Sequence, residues 1–166
     1  MKKLLVAIGL ATVSAALLVG VASAGSSTSA AAKAKVSLAS TGLGRILVDG
    51  NGRTLYLFAN DRHGKSTCAG ACAGFWPPLI ASGKPLAASG VRPALLGTTR
   101  RADGRLQVTY NHHPLYTFVK DAHRGDTNGE ELNVYGAEWY ALSAAGSKVE
   151  RANTGMTTTT GTGYGY

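Results

Sequence analysis

Two carboxylate–imidazole pairs, Asp61-x-His63 and Asp121-x-His123, stand sixty positions apart in this 166-residue chain. Carboxylate oxygen and imidazole nitrogen together suit a divalent transition metal, provided the four side chains meet. Spacing alone gives no reason for them to meet. Each pair reads better as a turn aspartate beside a surface histidine. His112-His113 is a second set of nitrogen donors, but neighbours in a strand point to opposite faces, so they share an ion only from a turn. Asp126-Thr127-Asn128-Gly129-Glu130-Glu131 places oxygen donors around a glycine, as a calcium loop does. It lacks the twelve-residue spacing and flanking helices of a helix–loop–helix site, and a tight Asx/Gly turn explains it equally well.

Signatures of covalent catalysis are missing. There is no Gly-x-Ser-x-Gly elbow and no phosphate-binding glycine loop. Asp61 and Asp121 could be paired as a symmetric acid dyad, but the residues that flank such a dyad are not there. Cys68 and Cys72 are the only cysteines. In an oxidising compartment they are expected to bond to each other, which leaves no thiol nucleophile. A metal site would need two further ligands besides these thiolates. The bridge closes a small loop, contributes about 2 kcal/mol, and is expected to pin the segment carrying Phe75 and Trp76. The expectation is a non-enzymatic protein with no cofactor.

Export is the expected route. Lys2 and Lys3 precede an uncharged apolar run from Leu4 to Val21, and Ala22-Ser23-Ala24 supplies the small residues of a cleavage site. Residues 1–24 therefore read as a signal peptide, with no transmembrane helix after its removal and a secreted, extracytoplasmic product. Residues 25–40 read as a flexible spacer, 41–150 as the folded domain, and 151–166 as a disordered Thr/Gly-rich tail.

The elements that must position these groups follow from an internal duplication. GRILVDGNGRTLYLFANDRH (44–63) returns without a gap as GRLQVTYNHHPLYTFVKDAH (104–123). Around each copy apolar residues alternate: Ile46 and Val48 against Leu47, then Tyr56 and Phe58 against Leu55 and Leu57. That period marks strands. Asp49-Gly50-Asn51-Gly52 supplies hairpin-turn residues in the first copy, and Asn111 takes that role in the second, with Pro114 marking an edge. Each unit is then a hairpin, a loop and a Trp-bearing strand, with repeats spanning about 44–80 and 104–142. The fold expected is all-β: two tandem β-hairpin repeats forming a pseudo-twofold sandwich or small barrel, each covering the other's apolar face. CAGACAGF is expected to make one helical turn.

The hexapeptides Tyr56–Asp61 and Tyr116–Asp121 both fit Tyr-x-aromatic-x-x-Asp. Together with CAGACAGFWPPL and GDTNGEELNVYGAEWYAL, they make the chain resemble a bacterial secreted-repeat family, predicted lipoproteins of unknown function carrying that duplicated motif. The resemblance covers about residues 44–142 and implies export and tandem duplication. No cysteine at the signal end is available for a lipid anchor. In physical terms Tyr56, Phe58, Tyr116 and Phe118 bury rings on one sheet face, the hydroxyls seek polar partners, and Asp61 and Asp121 accept backbone N–H groups where the strands end.

The formal net charge is +8. Lys84, Arg92, Arg100, Arg101 and Arg105 gather in the connector and read as a basic patch. Outside a cell such a patch suits an anionic envelope polymer, lipid head groups or another cell-surface component rather than nucleic acid. The function expected is binding of such a component. The alternative is a secreted metal- or redox-cofactor protein using the Asp-x-His pairs.

Overall fold

The structure, a computed structural model, describes residues 33–151. The expected signal peptide and the tail from residue 152 lie outside them. The described chain runs through β1 (Lys35–Thr41), β2 (Gly44–Asp49), β3 (Tyr56–Phe58), α1 (Ala71–Phe75), β4 (Leu86–Ala87), a 3-10 turn (Pro93–Leu95), β5 (Leu96–Arg100), β6 (Leu106–Tyr110), β7 (His113–Pro114), β8 (Asn133–Val134) and β9 (Ala137–Ala141). Among the described residues the fold is all-β apart from one α-helical turn and the 3-10 turn, as the alternation predicts. Its strands form three small sheets, β2-β1-β4, β3-β9-β8 and β5-β6-β7, and no closed barrel. Among the described residues no helix is long and apolar enough to cross a membrane.

The spacer expected over 25–40 needs correction at its C-terminal end. Residues 35–40 belong to β1, which pairs antiparallel with β2 from Val36↔Asp49 to Thr41↔Gly44 and parallel with β4. Val36 is fully buried. The small Ser and Ala residues around Val36 and Leu38 disguise the alternation, and the partner strand β2 provides the burial that composition does not.

Tyr56 and Tyr116, equivalent residues of the two repeats, face each other in an antiparallel bridge. The Tyr56 N–H donates to the Tyr116 carbonyl (2.8 Å) and the Tyr116 N–H to the Tyr56 carbonyl (3.0 Å), as a local twofold between them requires. The Trp-bearing strands do not return to their own hairpins. Trp139 in β9 pairs with Phe58 of the first repeat. The segment after Trp76 pairs with the second repeat, through Thr117 N–H to the Pro77 carbonyl at 2.9 Å and Val108 N–H to the Leu79 carbonyl at 2.8 Å. The repeats are thus interleaved.

The ungapped alignment hides two compensating changes. Leu47 N–H donates to the Leu142 carbonyl, and the residue doing the equivalent work in the second repeat is Val108, not the aligned Gln107. The turn between Thr41 and Gly44 has two residues, whereas its counterpart between Arg101 and Arg105 has three. The next turn reverses the difference: three residues between Asp49 and Arg53, closed at Gly52 (φ 84°), against two between Tyr110 and His113. Asn111 (φ 47°) and His112 (φ 66°) give that shorter hairpin the primed geometry that matches strand twist.

Alternation sorts the side chains into two cores. Leu47, Leu55, Leu57, Val108, Leu115 and Leu142 join an aliphatic cluster. Ile46, Tyr56, Phe58, Trp76, Tyr116, Phe118 and Trp139 join an aromatic one with the cysteines. Both draw on both repeats, so neither repeat owns a complete core.

Candidate functional site

The motif rings form a continuous stack at the twofold. Phe58 lies on Trp139 (centroids 4.2 Å apart), Trp139 on Trp76 (3.8 Å), and Trp76 on Phe118 (4.3 Å). Tyr56 and Tyr116 each meet the Trp of their own repeat edge-on, at 5.3 and 5.1 Å. Offset stacks and edge contacts of this kind suit the aromatic quadrupole and add to the burial of the rings.

The motif hydroxyls cross between repeats. Tyr56 donates to Asp121 Oδ2 (2.7 Å), and Tyr116 donates to Asp61 Oδ2 (2.8 Å). The other oxygen of each carboxylate fixes its own loop: Asp61 Oδ1 accepts Thr67 N–H (2.7 Å), and Asp121 Oδ1 accepts Asn128 N–H (2.9 Å). Burial pushes both carboxyls above the ordinary range, against the lowering effect of these hydrogen bonds. Both tyrosines are pushed up as well, chiefly by burial, with the facing Asp adding to it. The proton therefore stays on the phenol. Asp61 and Asp121 act as the turn-fixing acceptors the sequence suggests, with the added task of joining the halves.

The Cys68–Cys72 disulfide is present and ties the loop before α1 to its first turn. Its sulfurs belong to the aromatic cluster, and α1 hands Trp76 into the stack while leaving Phe75 outside. Gly129 makes the close packing on the other side possible. A Cβ there would stand 2.7 Å from Trp76 Cη2 and 2.9 Å from Tyr56 Cζ.

One end of the ring stack opens at the surface. Phe75, Trp76, Phe118, Lys120, Leu132, Val134 and Tyr135 line a groove of about 530 Å³. Phe75 (49% exposed) and Tyr135 (44% exposed) flank it with ring centroids 6.5 Å apart. Val119, equally exposed, adjoins Phe75 through a backbone hydrogen bond of 3.1 Å. Phe75, Trp76, Leu132, Val134 and Tyr135 come from the segments after the two motifs, whereas Phe118 and Lys120 lie within the second motif.

The other expected groups are placed differently. Asp61, His63, Asp121 and His123 do not converge, and among the described residues no three His, Cys, Asp or Glu side chains surround one point. Both motif carboxylates are engaged as described, and His123 points into solvent, 86% exposed, beside Asp126. His63 instead shares a cleft with His112 and His113. Burial lowers the pKa of His113, partly offset by Asp61. The Asp126–Glu131 loop is not a ring of oxygens. Asp126 accepts His123 N–H, Glu130 accepts Ala141 N–H, and Glu131 accepts Arg151 N–H.

The basic patch is also not one surface. Arg101 is buried and donates to Ser66 Oγ (2.7 Å), the Cys68 carbonyl (2.7 Å) and Gln107 Oε1 (2.6 Å), clamping the disulfide loop to the second repeat. Arg105 pairs with Asp103. Arg92 and Arg100 are exposed, but Arg92 precedes the Pro93–Leu95 turn and Arg100 ends β5 on its far side. Proximity in sequence grouped them; a strand between two turns separates them.

By sequence Glu130 is no more than one oxygen donor of the 126–131 loop. It is 2% exposed, and burial raises its pKa to about 7. Gln107 is likewise buried, donating to the Leu115 carbonyl at 2.8 Å. A polar residue within an apolar alternation is the sequence signal for Gln107. Glu130 gives none, because its burial depends on β9 arriving from the far side.

Comparison with curated proteins and with solved structures gives no match. A family model described as a secreted repeat of unknown function matches twice, over residues 37–80 and 97–143. Each match spans a hairpin with the Trp-bearing strand that leaves it, so the chain belongs to this family of secreted repeats.

Proposed function

We propose that this is an exported, non-catalytic domain that docks on the anionic lipid surface of the cell envelope through the groove at the end of its ring stack. Export rests on the Lys2-Lys3, Leu4–Val21 and Ala22-Ser23-Ala24 pattern and on membership of a secreted family. One observation carries the docking reading. Of the five large apolar side chains exposed among the described residues, Phe75, Val119, Val134 and Tyr135 gather around this groove, and only Leu86 lies elsewhere. Exposed apolar clusters mark interaction surfaces, and rings at a rim suit the lipid–water boundary. Lys120 at the groove and the formal charge of +6 left once Lys2 and Lys3 depart with the signal peptide (8 − 2) favour an anionic head group.

Co-sedimentation with phospholipid vesicles tests this. Binding is expected to vesicles containing phosphatidylglycerol and not to pure phosphatidylcholine. Phe75→Ser with Tyr135→Ser should weaken it about tenfold or more, as should Lys120→Glu at low salt. Equal binding by the wild type and these variants, or none to either vesicle, would overturn the proposal.

A further inference from the structure

We propose that the cleft between the His63 turn and the His112 turn binds a borderline divalent transition-metal ion through the imidazoles of His63, His112 and His113. The cleft, of about 390 Å³, is lined by these three residues with Asp61, Gly64 and Pro114. It forms where two tight turns touch. Arg62 and Lys65 close one turn by exchanging backbone hydrogen bonds, with His63 and Gly64 at its tip. Asn111 and His112 form the tip of the other. A Cβ on Gly64 would stand 3.3 Å from the His112 carbonyl oxygen, so the contact is tight enough to favour glycine.

Three features point to a ligand rather than to the needs of folding. First, His63 (φ 51°) and His112 (φ 66°) occupy the left-handed region, where a primed turn favours Gly or Asn. Second, the local twofold generates a matching junction in the other half, where Gly125 N–H donates to the Gly52 carbonyl and Arg124 packs over Gly52. That junction stands without a histidine in its hairpin turn, so the fold does not require His112 or His113. Third, imidazole nitrogens with a carboxylate beside them in the same cleft suit copper, nickel or zinc. The ligands are not preassembled around one point. Binding one ion therefore requires the exposed imidazoles of His63 and His112 to rotate toward half-buried His113, with Asp61, held by Thr67 and Tyr116, adding negative charge beside them.

Titration calorimetry with Zn²⁺ and electron paramagnetic resonance with Cu²⁺, on protein carrying no polyhistidine tag, test this. One equivalent is expected, with nitrogen hyperfine structure in the copper spectrum. His63→Ala and His112→Ala should each weaken binding at least tenfold, and His123→Ala should leave it unchanged. His112→Gly separates ligand from scaffold: the Asn-Gly turn should melt no lower than wild type while losing the metal. Absence of stoichiometric binding, an equal loss in His123→Ala, or retained binding in His112→Gly would each overturn the proposal.

Discussion

The Tyr56 hydroxyl lies 2.7 Å from Asp121 Oδ2, in the opposite repeat, and Tyr116 returns the same bond to Asp61 at 2.8 Å. A motif written six residues long in each repeat is completed only by its copy. Removing one hydroxyl leaves a carboxylate oxygen without its donor, a loss of ~1–3 kcal/mol. Tyr56→Phe and Tyr116→Phe should each lower stability by that amount in urea denaturation. A Tyr56→Phe/Asp121→Asn cycle should return about 1 kcal/mol of coupling; additive effects would show that the bond contributes nothing specific.

Two glycines give opposite forecasts. Gly129→Ala drives a methyl into Trp76 and Tyr56, and overpacking of this kind costs ~1–3 kcal/mol. Gly74, in α1, has nothing within 4 Å of a Cβ, so Gly74→Ala should be neutral or stabilise by up to ~1 kcal/mol. Their melting temperatures, compared side by side, check the packing of the ring stack.

Adjacent arginines should behave differently. Arg101→Ala abolishes three hydrogen bonds of a buried guanidinium, with an expected loss of ~3 kcal/mol, whereas Arg100→Ala removes an exposed side chain and should stay within about 0.5 kcal/mol. Similar unfolding midpoints for the two variants would contradict the clamp.

Glu130 predicts a protein more stable in mild acid than at neutral pH. Its folded pKa of about 7 exceeds the 4.5 of an ordinary glutamate, because burial disfavours the charged form, so the folded state holds the proton more tightly. The resulting stabilisation is complete below about pH 4.5 and is lost as pH rises to about 7, a change on the order of 3 kcal/mol. Asp61 and Asp121, also raised, act with the same sign. Unfolding midpoints between pH 4.5 and 8 should therefore fall, and Glu130→Gln should flatten most of the slope.

The sequence discloses much of this local structure and little of its assembly. Alternation at Leu55–Phe58 assigns each side chain to the correct core, and Asn111 and Pro114 sit where turn chemistry places them. The acceptor role of Asp61 and Asp121 is also legible, because it depends on neighbours in the chain. Partners from the other repeat are not. The swapped tyrosines, the Trp76–Trp139 stack and buried Arg101 depend on which strand crosses to which hairpin, and a periodicity of two carries no such information. The lengths of two turns changed in opposite directions, so the alignment stays in step while the strand between them slides by one residue. The groove residues Val134 and Tyr135 are ordinary loop residues until β8 and α1 bring them to one rim.

Interleaving also bears on how such a chain could arise. A polypeptide holding a single unit has nowhere to lay its tryptophan segment except on another molecule like itself, so two would associate as a homodimer. Gene fusion of that pair makes the encounter intramolecular and independent of concentration. It also releases the halves from identity, leaving one free to acquire a sulfur bridge and the other an imidazole-bearing hairpin.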